Sequence, residues 1–163
     1  AQSFRAGHWP TSSTMKEKTK NIKKYTATSL GYLGLVPPLI ALSASLVRSI
    51  SPEEAFEFNL LYANMILSFL GGTHWYAGIT SEIRAPIRKI LVGIISSLAG
   101  ITSLLIGGVI GALITTASLL LLGGIEKYLP LSEQDGIQWY LSLRINLTAG
   151  LISLLLMSLW LST

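Results

Sequence analysis

The 163-residue chain contains no cysteine, which excludes a disulfide framework, a thiol nucleophile and any sulfur-ligated metal. Charge is scarce as well: 12% of residues are Asp, Glu, Lys or Arg, against about 25% in soluble domains. Histidine occurs twice, at His8 and His74, and neither has a Cys, an Asp or the other His near it in sequence. No metal site and no cofactor is therefore expected. Neither a paired carboxylate nor an activated nucleophile can be assembled from these residues, so the chain does not read as an enzyme.

What is abundant is apolar. Half of the residues are hydrophobic, and the mean hydropathy is +0.57. Residues 90–125 run 36 positions without a charge. As one straight helix they would reach roughly 54 Å, against a hydrocarbon core of about 30 Å, so the segment must fold back on itself. Gly107, Gly108 and Gly111 sit near its middle, where a turn meets little steric resistance.

Read along its length, the sequence predicts an all-α membrane protein: a bundle of five transmembrane helices preceded by an extended N-terminal tail. Residues 1–25 form the polar, basic tail, and residues 26–163 form the membrane domain, with spans at about 26–47, 58–79, 90–106, 111–125 and 139–161. Pro37 and Pro38 predict a kink in the first span, because proline lacks a backbone donor and clashes with the preceding turn. Neighbouring helices must then satisfy the freed carbonyls. Ser51, Pro52, Glu53 and Glu54 read as an N-cap, a first-turn proline and first-turn acids, and so start the second helix.

Ten of the twelve basic residues fall in the tail and in the loops at 80–89 and 126–138, Arg48 lies alone on the other side, and Arg144 lies within a span. The positive-inside rule then puts the N-terminus in the bacterial cytoplasm or the mitochondrial matrix. In a membrane protein this basic bias reports topology, and no nucleic-acid partner is expected. Residues 1–14 hold no acid and are rich in Ser and Thr, which fits either a mitochondrial targeting remnant or a solvated tail.

His74 and Arg144 are the two ionisable residues inside expected spans, each about 7 Å from the same membrane edge. They meet if the second and fifth helices pack together. One reading makes His74, Trp75 and Arg144 a polar cluster that binds an anion or fixes the bundle. In the plainer reading, preferred here, Arg144 snorkels toward lipid phosphate, helix-end carbonyls or Glu82, while His74 bonds a backbone carbonyl. Recurring small residues, including Gly93, Gly100, Gly107 and Gly111, predict close helix packing, and Asn59, Asn64 and Asn146 predict interhelical hydrogen bonds.

The stretch Ile66-Leu67-Ser68-Phe69-Leu70-Gly71-Gly72-Thr73-His74-Trp75 and the stretch Trp139-Tyr140-Leu141-Ser142-Leu143-Arg144-Ile145-Asn146-Leu147-Thr148 resemble the two signature segments of the transmembrane protein 69 family. Gly31-Tyr32-Leu33-Gly34-Leu35-Val36-Pro37-Pro38 is similar to that family's first-helix pattern. The family comprises small five-span proteins of bacteria and mitochondria with no assigned activity, and many bacterial members carry a basic residue where this chain has His74. The resemblance implies a mitochondrial inner-membrane address for a eukaryotic member and supplies no catalytic residue. The lack of catalytic groups and the small size lead to the expectation of a structural accessory subunit of an inner-membrane assembly such as a respiratory complex. Its partners would be membrane lipids and other subunits, gripped in part by the tail. A small-solute carrier in a mitochondrial or bacterial inner membrane is the alternative.

Overall fold

The computed structural model describes residues 12–80, 85–128 and 138–163. They form six helices: α1 (Ser12–Leu33), α2 (Val36–Leu46), α3 (Pro52–Thr80), α4 (Pro86–Ile106), α5 (Gly108–Tyr128) and α6 (Gln138–Ser162). Four helical stretches are long and apolar enough to cross a membrane, at Glu17–Leu46, Pro86–Ile106, Gly108–Glu126 and Trp139–Ser162. The first of these joins α1 and α2.

α3 is not among the four, and its position explains its composition. It packs against α2, α4, α5 and α6. On the side turned to these helices it carries Asn59, Asn64 and His74, each at most 2% exposed, while Met65, Phe69 and Tyr76 face outward. Beside them pack the apolar side chains of the core: Phe56, Leu60 and Leu67 from α3, Leu119 and Leu122 from α5, and Leu151 and Leu155 from α6.

Elsewhere the apolar residues face outward. On α4 the buried positions are Lys89, Gly93, Ser96, Gly100 and Ser103, a stripe at alternating spacings of four and three. Leu91, Ile94, Ile95, Leu98 and Ile101 lie on the exposed face. Where lipid replaces water, helices gain little by hiding apolar residues from one another, and small residues let backbones approach. The α3–α4 seam shows how close: a Cβ added to Gly93 would lie 2.6 Å from the Gly71 carbonyl oxygen and 3.0 Å from the Trp75 nitrogen.

The chain reverses between α4 and α5 at Gly107 and Gly108, whose φ angles of 66° and 55° fall in the left-handed region. The α3 start is a capping box, with the Ser51 N–H donating to Glu54 Oε2 at 2.8 Å and the Glu54 N–H donating to Ser51 Oγ at 3.1 Å.

Two expectations are corrected. The tail at 1–25 is not extended throughout, because α1 begins at Ser12 and carries the basic segment as helix; residues 1–11 lie outside the described residues. The first span does not kink at Pro37 and Pro38. The helix breaks earlier, at Gly34 and Leu35, which leaves the prolines in the first turn of α2 where a missing N–H is harmless. The carbonyl of Gly34, four residues before Pro38, accepts a hydrogen bond of 2.6 Å from the Tyr62 hydroxyl of α3.

Candidate functional site

Two polar layers cross the bundle. The first joins α3, α4 and α5 through Asn64, Ser103 and Thr115, all at most 2% exposed. Asn64 Nδ2 donates to Leu60 O at 2.9 Å and to Ser103 Oγ at 3.2 Å. Ser103 Oγ donates to Gly111 O at 2.7 Å, and Thr115 Oγ1 donates to Asn64 Oδ1 at 3.1 Å. This assignment gives every hydroxyl and amide hydrogen a partner.

The second layer lies ten residues further along α3, about 15 Å toward its C-terminal end. It comprises His74 of α3, Lys89 of α4, Glu126 of α5 and Arg144 of α6, which are 0%, 1%, 3% and 7% exposed. Glu126 is the hub. Its Oε1 forms an ion pair with Arg144 Nη2 and lies 3.6 Å from His74 Nε2. On its other side the His74 ring bonds Leu70 O through Nδ1 at 3.2 Å. A carbonyl only accepts, so Nδ1 carries hydrogen, and a neutral ring turns the Nε2 lone pair toward a carboxylate oxygen. One proton shared between Nε2 and Oε1 completes this edge. Lys89 is close enough to act on His74 electrostatically.

This layer is not closed. His74 Nε2, Glu126 Oε1 and both Arg144 terminal nitrogens are buried without an aligned hydrogen-bond partner. Beside them opens a cleft of about 550 Å³, walled by Leu70 of α3, Leu119, Leu120, Leu122, Gly123 and Gly124 of α5, and Leu141, Ile145 and Ala149 of α6. Glu126 and Arg144 line its polar end. Another cleft, at the opposite end of the bundle beside Arg48, Ser51 and Glu54, borders the capping box, whose polar groups already bond one another.

The structure brings His74 and Arg144 together through a residue that the sequence reading left in a loop. Arg144 does not snorkel: it turns inward to Glu126 because α5 continues to Tyr128, past the expected end of the span at 125. Trp75 stands apart, 48% exposed, with its Cβ against Gly93 on the α4 side. Glu82 lies outside the described residues. Lys89, expected in a loop, is buried in the first turn of α4. A signal for Glu126 was present: Thr115, Leu119, Leu122 and Glu126 follow a four, three, four spacing, so the acid continues a buried stripe. Of the three asparagines Asn64 bonds across helices, Asn146 is exposed, and Asn59 is buried with both amide atoms unpaired. Among the described residues no group of three or more His, Cys, Asp or Glu could hold a metal.

Four apolar helical stretches, with outward-facing aliphatic side chains and polar groups turned inward, are the construction of a helical membrane protein. The chain belongs to the DUF3429 family, proteins of unknown function, whose family model matches residues 23–160. That range includes His74, Lys89, Glu126 and Arg144. No curated protein and no solved structure matches the chain.

Proposed function

We propose that this protein is a structural accessory subunit of a larger membrane assembly, contributing helix packing and partner contacts rather than catalysis. The observation that carries this reading is the N-terminal half of α1. From Glu17 to Tyr25 it is exposed throughout, with Ile22 at 57% and Tyr25 at 73% beside Lys18, Lys20, Lys23 and Lys24. Within the chain α1 packs on α6 around Gly31, Leu143 and Leu147, so its first turns project beyond the bundle. A helical segment of this length, exposed throughout, is marginal in water. A neighbouring subunit would supply the missing surface.

In this reading α3 is the fifth span, with its polar side chains turned to the other helices and Met65, Phe69 and Ile79 outward, and its length of about 44 Å is sufficient to cross. The exposed lysines of α1 stand at the end that also holds Arg88 and Lys89, with Arg48 at the other, and the positive-inside rule places that end in the matrix of a mitochondrion. The inner-membrane address and the respiratory complex rest on the resemblance to the transmembrane protein 69 family. The buried cluster and the cleft favour a second reading, a small-solute carrier, although charges at one end rather than at the bilayer midplane are less usual for it.

Native-gel migration of the full chain, extracted in mild detergent from its own membrane, separates the two. Co-migration with a large complex is the expected result. A lone small oligomer would overturn the subunit reading in favour of the carrier.

A further inference from the structure

In the second polar layer Arg144 Nη1 is buried without an acceptor, and the cleft beside it has a largely apolar wall with no side chain filling it. We propose that the cleft between α3, α5 and α6 is a binding site for one anionic phospholipid of the surrounding bilayer. Its phosphate would accept from the Arg144 guanidinium, and an acyl chain would lie along Leu119, Leu122, Leu141 and Ile145. This goes beyond the subunit reading and holds for either proposed function.

Several observations support the site. Arg144 is more than nine-tenths buried and lines the cleft, and while its Nη2 is held in the ion pair with Glu126, its Nη1 has no hydrogen-bond acceptor. A guanidinium N–H donates a charge-assisted hydrogen bond to a phosphate oxygen, and a buried donor without an acceptor is costly, so an incoming anion meets a preformed demand at Nη1. The volume of about 550 Å³ falls within the roughly 300–1,000 Å³ of small-molecule sites.

Position selects a lipid over a water-soluble anion. Arg144 is six residues from the start of α6 and Glu126 two from the end of α5, so the polar end of the cleft lies within about 9 Å of the helix ends. The wall from Glu126 back to Leu119 runs a further 10 Å or so into the bundle. A headgroup at the membrane edge with a chain directed inward has this shape. Gly123 keeps the wall open: it shares a helical face with Leu119, Leu122 and Glu126, and a Cβ added there meets nothing within 4 Å.

The test is native mass spectrometry of the full-length protein, delipidated in detergent and titrated separately with phosphatidylglycerol, phosphatidylcholine and palmitate. Wild type should bind one phosphatidylglycerol per chain, roughly tenfold more tightly than phosphatidylcholine, which offers the same phosphate but whose choline cation cancels the headgroup's net charge beside the Arg144 guanidinium. A Cβ at Gly123 meets nothing and Gly123→Leu replaces a helix breaker, so this variant should fold, project into the cleft and lose phosphatidylglycerol binding about tenfold or more. The double variant Glu126→Leu with Arg144→Met removes the ion pair as a unit and should bring the two phospholipids to equal affinity. Equal affinities in wild type, or unaltered phosphatidylglycerol binding in Gly123→Leu, would overturn the proposal. So would a site that takes palmitate and not phosphatidylglycerol, which would be a fatty-acid site instead.

Discussion

The two polar layers differ in closure rather than in depth of burial. Around Asn64, three helices exchange a set of hydrogen bonds in which each donor finds an acceptor, and the result fixes the glycine hairpin against α3. Around Glu126, four helices converge with more charge and less satisfaction, leaving four polar atoms held by charge at best, without an aligned hydrogen bond. A closed network in low dielectric rigidifies a core, whereas a partly satisfied one is a liability unless something else completes it. The contrast teaches that the first layer is architecture, and that the second is architecture with a vacancy in its bonding.

The largest expected effect comes from opening the second layer further. Glu126→Leu leaves Arg144 buried without a counter-charge and should lower stability by about 3–5 kcal/mol, read as a fall in the SDS-unfolding midpoint. Adding Arg144→Met should recover most of that loss, because a removed pair costs far less than a broken one. If the double variant is no better than the single, the pair is holding the fold by geometry and the contrast fails.

Next is the closed layer. Asn64→Leu strands Ser103 and Thr115 and should cost about 1–3 kcal/mol by the same measurement, less than Glu126→Leu because no charge is left behind.

Asn59 separates burial from function. Its amide is 1% exposed with no partner, and nothing in the structure explains it. Asn59→Leu should raise stability by about 1 kcal/mol, since an unpaired buried amide is replaced by an apolar group of similar size. A destabilised variant would reveal a hydrogen bond formed with something outside the chain.

The smallest effect belongs to a pair that is satisfied but exposed. The Ser51 backbone N–H, and secondarily its hydroxyl, holds the Glu54 carboxyl below its ordinary value of 4.5. A depressed carboxylate adds stability above its unfolded-state value and loses it as pH falls through the lower folded-state value. Wild type should therefore lose a slight advantage over Glu54→Gln in thermal midpoint only when the pH is taken below about 4.5, and the two should differ little there.

Much of the fold was legible because a bilayer limits what a sequence can do. Thirty-six uncharged residues could not be one span, three glycines marked the place to turn, and Ser51 with Glu54 wrote a helix start in four residues. The cluster was only half legible. His74 and Arg144 stood out as charges inside apolar segments, but Lys89 and Glu126 lie at helix ends, where a charge looks like loop. Both continue buried stripes, Lys89 ahead of Gly93 and Ser96, Glu126 behind Leu119 and Leu122. A periodicity argument carried past the last apolar residue would have claimed them; a hydropathy argument stops at that residue. The reach of α1 was hidden because its first turns have no apolar face to bury and so leave no pattern.

The bond from Tyr62 to Gly34 governs a lever. α1 is 22 residues long, about 33 Å, and its packing on α6 gathers around Gly31, near its C-terminal end. A tilt of about 10° at the break swings the opposite end through about 6 Å, the width of a helical turn. One phenol hydroxyl, set in the middle of the central helix, thus sets the bearing of an arm whose tip lies well beyond the helices that anchor it.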